Sequence, residues 1–231
     1  MERCIYCMEQ SEEDVCPFCG KSRSEYIPAP HALMAGTLLN RRYLIGAMIG
    51  EGGFGITYVG FDTLLLCKVA VKEFYPIGAV SRSNTVSSNV TSITSKKARE
   101  LFENRRENFL HEAQLLARFN DEAGIVSVKD FFEANQTAYI IMEYLDGITL
   151  KEYLEQVGRI SYDNTVCLLM SVMQSLRRIH KNGLIHRDIS SDNIMLAGEK
   201  VKLIDFGSAV EYTDEKSMSV MLKHKYETHE Q

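Results

Sequence analysis

Between residues 43 and 62 the chain reads YLIGAMIGEGGFGITYVGFD, a glycine cluster set between two runs rich in β-branched and aromatic residues. Gly50, Gly52 and Gly55 fit the spacing G-x-G-x-x-G, which the phosphate-binding loops of several folds share. In a doubly wound dinucleotide fold such glycines open a helix. Here ITYVGF follows them with the composition of a strand, and YLIGAMI precedes them with the same. The glycines therefore fall in the turn of a hairpin, where missing side chains let backbone N–H groups approach phosphate oxygens.

A third strand is predicted at CKVAVKEFY, with Lys72 following Val69, Ala70 and Val71. A lysine in such a strand is commonly a snorkelling surface residue. The helix predicted from about Ser95 to Asn120 changes its weight: Phe109, Leu115, Leu116 and Phe119 form an inward stripe, and Glu112 lies on it. A carboxylate aimed at a core is costly unless paired, so the helix predicts a buried cation, and Lys72 is the available one. The bland alternative is a solvated Glu112 at the edge of a narrower stripe. The charges of KKARELFENRREN fit a solvated face, and SRSNTVSSNVTSITS reads as a mobile loop.

Ahead of this region stand CIYC and CPFCG, two C-x2-C dyads (Cys4, Cys7, Cys16, Cys19) with eight residues between them. Two such knuckles complete a tetrahedral thiolate shell, which suits a closed structural zinc site, and Gly20 fits the turn after the second dyad. The N-terminus lacks the basic-then-apolar order of a signal peptide and no apolar run reaches about 18 residues, so the chain reads as cytoplasmic and without a membrane segment. That compartment opposes disulfides, and a redox dithiol would need one dyad in a thioredoxin-like context. Cys67 and Cys167 lie alone in apolar runs and read as buried thiols. Residues 1–22 thus form a zinc-ribbon-like module, with too few apolar residues for a core of its own, and 23–40 a linker carrying Pro28, Pro30 and Gly36. A net charge of −5, with basic and acidic residues interleaved, disfavours nucleic acid as a partner.

Further on, TVCLLMSVMQSLRRIH places Val166, Leu169, Met170, Met173, Leu176 and His180 on one helical face and stops at Gly183, predicting a buried helix that leads into HRDISSDNIM. NIMLAGEKVKLIDFG then reads as a hairpin turning at Gly198, which returns Asp205 beside Asn193.

In order, GEGGFG, VAVK, Glu112, HRDISSDN and DFG make the chain from about Arg41 onward resemble the eukaryotic-type protein kinase fold, and GGFGITY and HRDIS look like bacterial serine/threonine kinases. The resemblance implies an α+β architecture, with a β-rich N-lobe carrying one regulatory helix over 41–145 and a helical C-lobe over 146–231. It implies ATP and Mg2+ as ligands. Ile49, Gly50, Glu51, Gly52, Gly53, Phe54, Gly55 and Thr57 would surround the nucleotide. Lys72 would hold the α- and β-phosphates, Glu112 would orient Lys72, Asp188 would accept or orient the substrate hydroxyl, and Asn193 and Asp205 would bind magnesium. Adenine would lie under Ala70 and over Met195, with Met142 as gatekeeper and Glu143 and Leu145 supplying backbone hydrogen bonds. Arg187 would pair with a phosphate on an activation segment carrying Thr213, Ser217 and Ser219.

Two departures stand out. Ser190 and Ser191 replace the usual lysine and proline, removing one charge-assisted contact worth about 1.5–3 kcal/mol, or roughly ten- to a hundredfold in rate. The chain ends at KYETHEQ, with THE in the place of APE, whereas the family continues through several more helices; a C-lobe incomplete at this end, with apolar surface open to self-association, is the expectation. The reading is an ATP-dependent serine/threonine protein kinase acting on a protein substrate. Its rivals are a nucleotide-binding pseudokinase or zinc-ribbon scaffold, and a small-molecule phosphotransferase on the same fold.

Overall fold

A short strand β1 (Leu38–Leu39) leads into the hairpin of β2 (Tyr43–Gly52) and β3 (Gly55–Asp62), whose tip holds the glycine cluster. Strand β4 (Cys67–Phe74), the small hairpin β5 (Val80–Ser81) and β6 (Thr91–Ser92), helix α1 (Lys96–Ala117), and strands β7 (Val128–Ala134) and β8 (Thr137–Glu143) follow. Six strands form one antiparallel sheet in the order β1-β2-β3-β4-β8-β7. This computed structural model describes residues 2–53, 55–82, 87–92 and 96–211. Met1–Arg118 with Ser127–Leu145 make one unit, and Phe119–Val126 with Asp146–Gln231 a second.

The alternation of β4 decides what covers each face of the sheet. Lys72 and Phe74 face α1, where Phe74 meets Phe102 and Phe109 at ring separations of 5.2 and 5.4 Å. Val69, Val71 and Glu73 face the other way and are fully buried. That second face is covered by the linker, in which Ala32 and Leu33 are buried and the Leu33 N–H donates to the Tyr58 hydroxyl at 3.0 Å. The linker is therefore docked at Ala32 and Leu33, although it carries no periodic signal.

Glu73 is held there by four donors. Arg82 reaches it twice, at 2.5 and 2.8 Å, and the hydroxyls of Tyr58 and Tyr139 donate at 2.8 Å each. Arg82 also donates to the His31 carbonyl at 2.9 and 2.5 Å. Burial, and after it the Glu73 charge, push both tyrosine hydroxyls far above the usual phenol range, so they remain protonated donors. Among its described residues, the stretch read as a mobile loop is thus anchored: Arg82 and Val90 are buried and β5 pairs with β6. Removing one partner of such a pair strands a buried charge at about 3–5 kcal/mol. Arg82→Ala should lower the melting temperature by about 10 °C, and an unchanged thermal scan would refute the network's weight.

The second unit opens with β9 (Ile148–Thr149) and α2 (Leu150–Val157), whose start is fixed by a reciprocal capping box between Thr149 and Glu152. Helix α3 (Tyr162–Lys181) is capped by Ser161 and stops at Asn182, before Gly183 at φ 74°. Strand β10 (Leu184–Ile185), a single 3-10 turn at Ser191–Asn193, the hairpin β11 (Ile194–Ala197) and β12 (Lys200–Leu203), and β13 (Val210–Glu211) complete it. The face of α3 expected to be buried is not. Val166, Leu169, Met170 and Met173 are exposed, while Val172, Ser175 and Ile179 are buried, because apolar residues extend over more than half of the helix circumference and α3 packs its other side on β10 and β12. Cys167, on the same open side, is exposed and Cys67 is half-buried, so neither is the buried thiol expected.

Candidate active site and cysteine cluster

The antiparallel register sets the candidate residues that the first unit carries. Lys72 lies opposite Thr57 on β3, and Ala70 lies opposite Val59 on one side and Met142 on the other. The Lys72 Nζ stands 3.5 Å from Glu112 Oε1 and 5.8 Å from the centre of the Phe109 ring. Glu112 sits on the buried stripe of α1 with Phe109, Leu115 and Leu116, so the helical period brings a carboxylate to a lysine 40 residues away.

At the hairpin tip, Gly50, Gly52 and Gly53 have no φ in the left-handed region, and an added Cβ would meet nothing within 4 Å among the described residues. Among the described residues, neither left-handed backbone nor internal packing requires glycine at these three positions. Gly55 differs, since a Cβ there would collide with the Glu73 carbonyl. Phe54 lies outside the described residues. The end of β8 carries Glu143, whose N–H donates to the Ser127 carbonyl at 2.9 Å and whose carboxylate accepts from the Ser127 N–H at 2.8 Å. An adenine contact through Glu143 would therefore use its carbonyl; Leu145 follows two residues after the end of β8, outside any regular element.

In the second unit the loop after β10 is drawn into a tight cluster. The Asn193 amide donates to the Asp188 carbonyl at 2.9 Å and to its carboxylate at 3.1 Å, and the Asp188 N–H donates to His186 Nδ1 at 3.3 Å. His186 is buried against Phe206, with ring centres 4.4 Å apart, and burial holds its pKa below the usual histidine value. An acceptor Nδ1 fixes the neutral tautomer, with its proton on Nε2. Ile194 pairs with Leu203 and the Ile204 N–H donates to the Asn193 carbonyl at 3.0 Å, so the hairpin seats Asp205 next to Asn193. Arg187 and Asp205 both take left-handed backbone, at φ 63° and 57°, a conformation costly for residues with a Cβ. Arg187 is tied to the Ser208 carbonyl at 2.6 Å. Met195 lies between Thr149 and Lys202 in the β9-β11-β12 sheet. Ser190 caps the 3-10 turn without a side-chain bond. Thr213, Ser217 and Ser219 fall outside the described residues.

The four N-terminal sulfurs converge as well. Cys4 and Cys19 are 3.7 Å apart, Cys7 and Cys16 are 3.6 Å apart, and all four lie within 4.8 Å of one another. Sulfurs bonded to one tetrahedral zinc at about 2.3 Å stand about 3.8 Å apart, whereas a disulfide needs about 2.05 Å. The donor set fits zinc. Each knuckle closes the same way, Met8 N–H to Cys4 carbonyl at 2.9 Å and Gly20 N–H to Cys16 carbonyl at 2.8 Å, with the residue after each dyad in left-handed backbone. Gly20 does this without strain. Met8, at φ 61°, does it as a residue packed with Ala47, Val59 and Phe61, so the module shares the core of the sheet. Burial opposes ionisation of Cys16, yet backbone N–H groups of Cys19 and Phe18 outweigh it and hold the thiol at about 7.

Hairpin, buried lysine–glutamate pair and aspartate–asparagine loop together define a protein kinase, and a sequence model of the protein kinase domain matches residues 43–230: the chain belongs to that family. It is 33% identical over 177 residues to a probable serine/threonine-protein kinase of Clostridium acetobutylicum, covering 76% of this chain and 24% of that protein. It is 34% identical over 176 residues to the serine/threonine-protein kinase PknB of Mycobacterium tuberculosis, covering 74% and 25%. The chain therefore spans about a quarter of the length of these relatives. Among solved structures it is similar to PpkA-294 in its apo form, with a TM-score of 0.71, 34% identity, and coverage of 77% of this chain and 62% of that one. What sequence reasoning missed lies outside these motifs: Met8 in the sheet core, Arg82 on Glu73, and His31, whose Nε2 is 2.6 Å from Glu51 Oε1 in the glycine hairpin. A charged or imidazole side chain in an irregular segment gives no periodic signal that could have found them.

Proposed function

We propose that the chain is the nucleotide-binding and catalytic part of an ATP-dependent serine/threonine protein kinase, transferring the γ-phosphate to a protein hydroxyl. The observation that carries this reading is the Asp188–Asn193 clasp beside Asp205, because it orders a base and two metal-ligand side chains on one short loop and hairpin. Asp188 accepts the hydrogen bond, and then the proton, of the attacking hydroxyl, and Asn193 fixes the direction its carboxylate faces. Lys72, kept in place by Glu112, neutralises phosphate charge, and the open glycines offer backbone N–H groups to phosphate oxygens. Magnesium, held by Asn193 and Asp205, would spread the remaining negative charge of the β- and γ-phosphates. Ser190 leaves one charge contact unmade, which slows the reaction without removing base or metal ligands.

The cysteine cluster is read as a structural zinc site, since four thiolates leave no open coordination position for chemistry. The names of the relatives support a protein hydroxyl acceptor. Among the described residues, no helix is long and apolar enough to cross a membrane.

Mg·ATP should raise the melting temperature of the chain, and Asp205→Ala should remove the magnesium-dependent part of that shift while a magnesium-independent part persists through Lys72. Equal shifts in the two proteins would count against the metal assignment.

A further inference from the structure

In the sheet, β2 is flanked on its outer side by the two-residue β1, which reaches only to Leu44, so the edge of β2 beyond Leu44 is unpaired by any strand as it runs into the glycine hairpin. The N-terminal residues occupy that edge one position after another. The Ile45 N–H donates to the Thr37 carbonyl at 2.8 Å, the Ala47 N–H to the Ile5 carbonyl at 2.7 Å, and the Met48 N–H to the Tyr26 hydroxyl at 3.2 Å. Alternation along β2 points the Ile45 and Ala47 N–H groups away from β3, and Ile5 of the first cysteine knuckle takes the second of them; the register of β2 against β3 jumps between Ile45 and Met48, and at this bulge the Met48 N–H also bonds outside the sheet. Gly46 is glycine because a Cβ would collide with that same Ile5 carbonyl and with the Met8 side chain. Beyond Met48 the contact continues to the tip: His31 pairs with Glu51, stacks on Tyr75 with ring centres 5.6 Å apart, and has its carbonyl gripped by the buried Arg82.

We infer that the cysteine module and its linker are a clamp on the phosphate-binding hairpin, anchored at the β2 bulge by Ile5 and Met8 and at the tip by the His31–Glu51 contact, so that zinc occupancy sets the affinity for nucleotide phosphates. The inference deepens the kinase reading and rests on it. Its physical basis is preorganisation. A glycine hairpin left to itself spreads over many backbone conformations, and binding must select one; a hairpin already fixed at its edge and its tip gives up less entropy on meeting a triphosphate. The zinc holds the two knuckles in the shape that presents the Ile5 carbonyl and Met8 together. His31 is then a positioning residue, acting on phosphate through the hairpin.

Calorimetric titration of the zinc-loaded chain with Mg·ATP and, separately, with adenosine tests this. Adenosine has no phosphate, so it reads the fold without reading the hairpin tip. In His31→Ala the affinity for Mg·ATP should fall about three- to tenfold with adenosine affinity unchanged, and His31→Gln, which keeps a donor for Glu51, should recover most of the loss. Zinc-free chain, prepared by chelation at a temperature where circular dichroism still reports the sheet, should lose at least as much of its preference for Mg·ATP over adenosine. An unchanged preference in both would overturn the clamp, and so would an equal loss for ATP and adenosine, which marks a merely structural role. Zinc-loaded wild type that binds no Mg·ATP would overturn the kinase reading itself.

Discussion

Replacing Asp188 by alanine will lower phosphate transfer to a protein hydroxyl by about a thousandfold and leave Mg·ATP affinity within about twofold. The separation follows from the geometry. Asn193 donates to both the main-chain carbonyl and the carboxylate of Asp188, so losing the carboxylate leaves the first bond to hold the loop. Asp188 is offered as the group that meets the attacking hydroxyl, not as a nucleotide contact. Exchanging Ser190 has a smaller ceiling, since one charge-assisted contact is worth about 1.5–3 kcal/mol; Ser190→Lys should change the rate within roughly a hundredfold. Incorporation of labelled phosphate into a generic basic protein measures both. Wild-type rates in Asp188→Ala would remove the residue from the mechanism, and transfer by Ser190→Lys with none by wild type would make Ser190 the mark of a nucleotide-binding pseudokinase.

The second large effect is expected at the cysteines. Purified chain should carry about one equivalent of zinc, and Cys16→Ser should abolish it and lower the melting temperature by about 10–20 °C. Structural zinc contributes about 10–16 kcal/mol to folding of isolated finger peptides. Here Met8 also packs into the sheet, so part of the module's folding energy comes from shared core and the cost of losing zinc is correspondingly smaller. Cys16 is the informative position because it is buried and its sulfur lies 3.6 Å from Cys7 of the other knuckle, so its loss opens the shell from the inside. Cys167, exposed on α3, is the control, and Cys167→Ser should change neither metal content nor melting. Full zinc retention in Cys16→Ser would refute the four-thiolate site.

Features carried by short-range pattern were legible in the sequence. The glycine turn, the cysteine spacing, the meeting of Lys72 and Glu112, and the hairpin that returns Asp205 to Asn193 each follow from a local period or turn residue. Features that depend on distant partners were not. Ala32 and Leu33 are two apolar residues without a period, and their burial depends on Tyr58 in a strand still to come. Arg82 and Glu73 look like surface charges until four donors are folded around one carboxylate. The face of α3 could not be chosen because apolar residues stand on both sides of it. Met8 was hidden for a different reason: left-handed backbone favours glycine, and a methionine there is tolerated through core contacts that lie some 40 to 50 residues onward.

Lys72 and Glu73 are neighbours on β4 and point to opposite faces, each toward a charge of the opposite sign, Glu112 on one side and Arg82 on the other. If β4 slid by a single residue during folding, the two faces would exchange. A slide one way would set Glu73 against Glu112 and Phe74 against Arg82, and a slide the other way would set Lys72 against Arg82 and Val71 against Glu112, so either error strands buried charge on both faces in one step. Correct strand alignment is thus checked by two ionic tests that pass or fail together, a proofreading of the sheet written into two adjacent letters of the sequence.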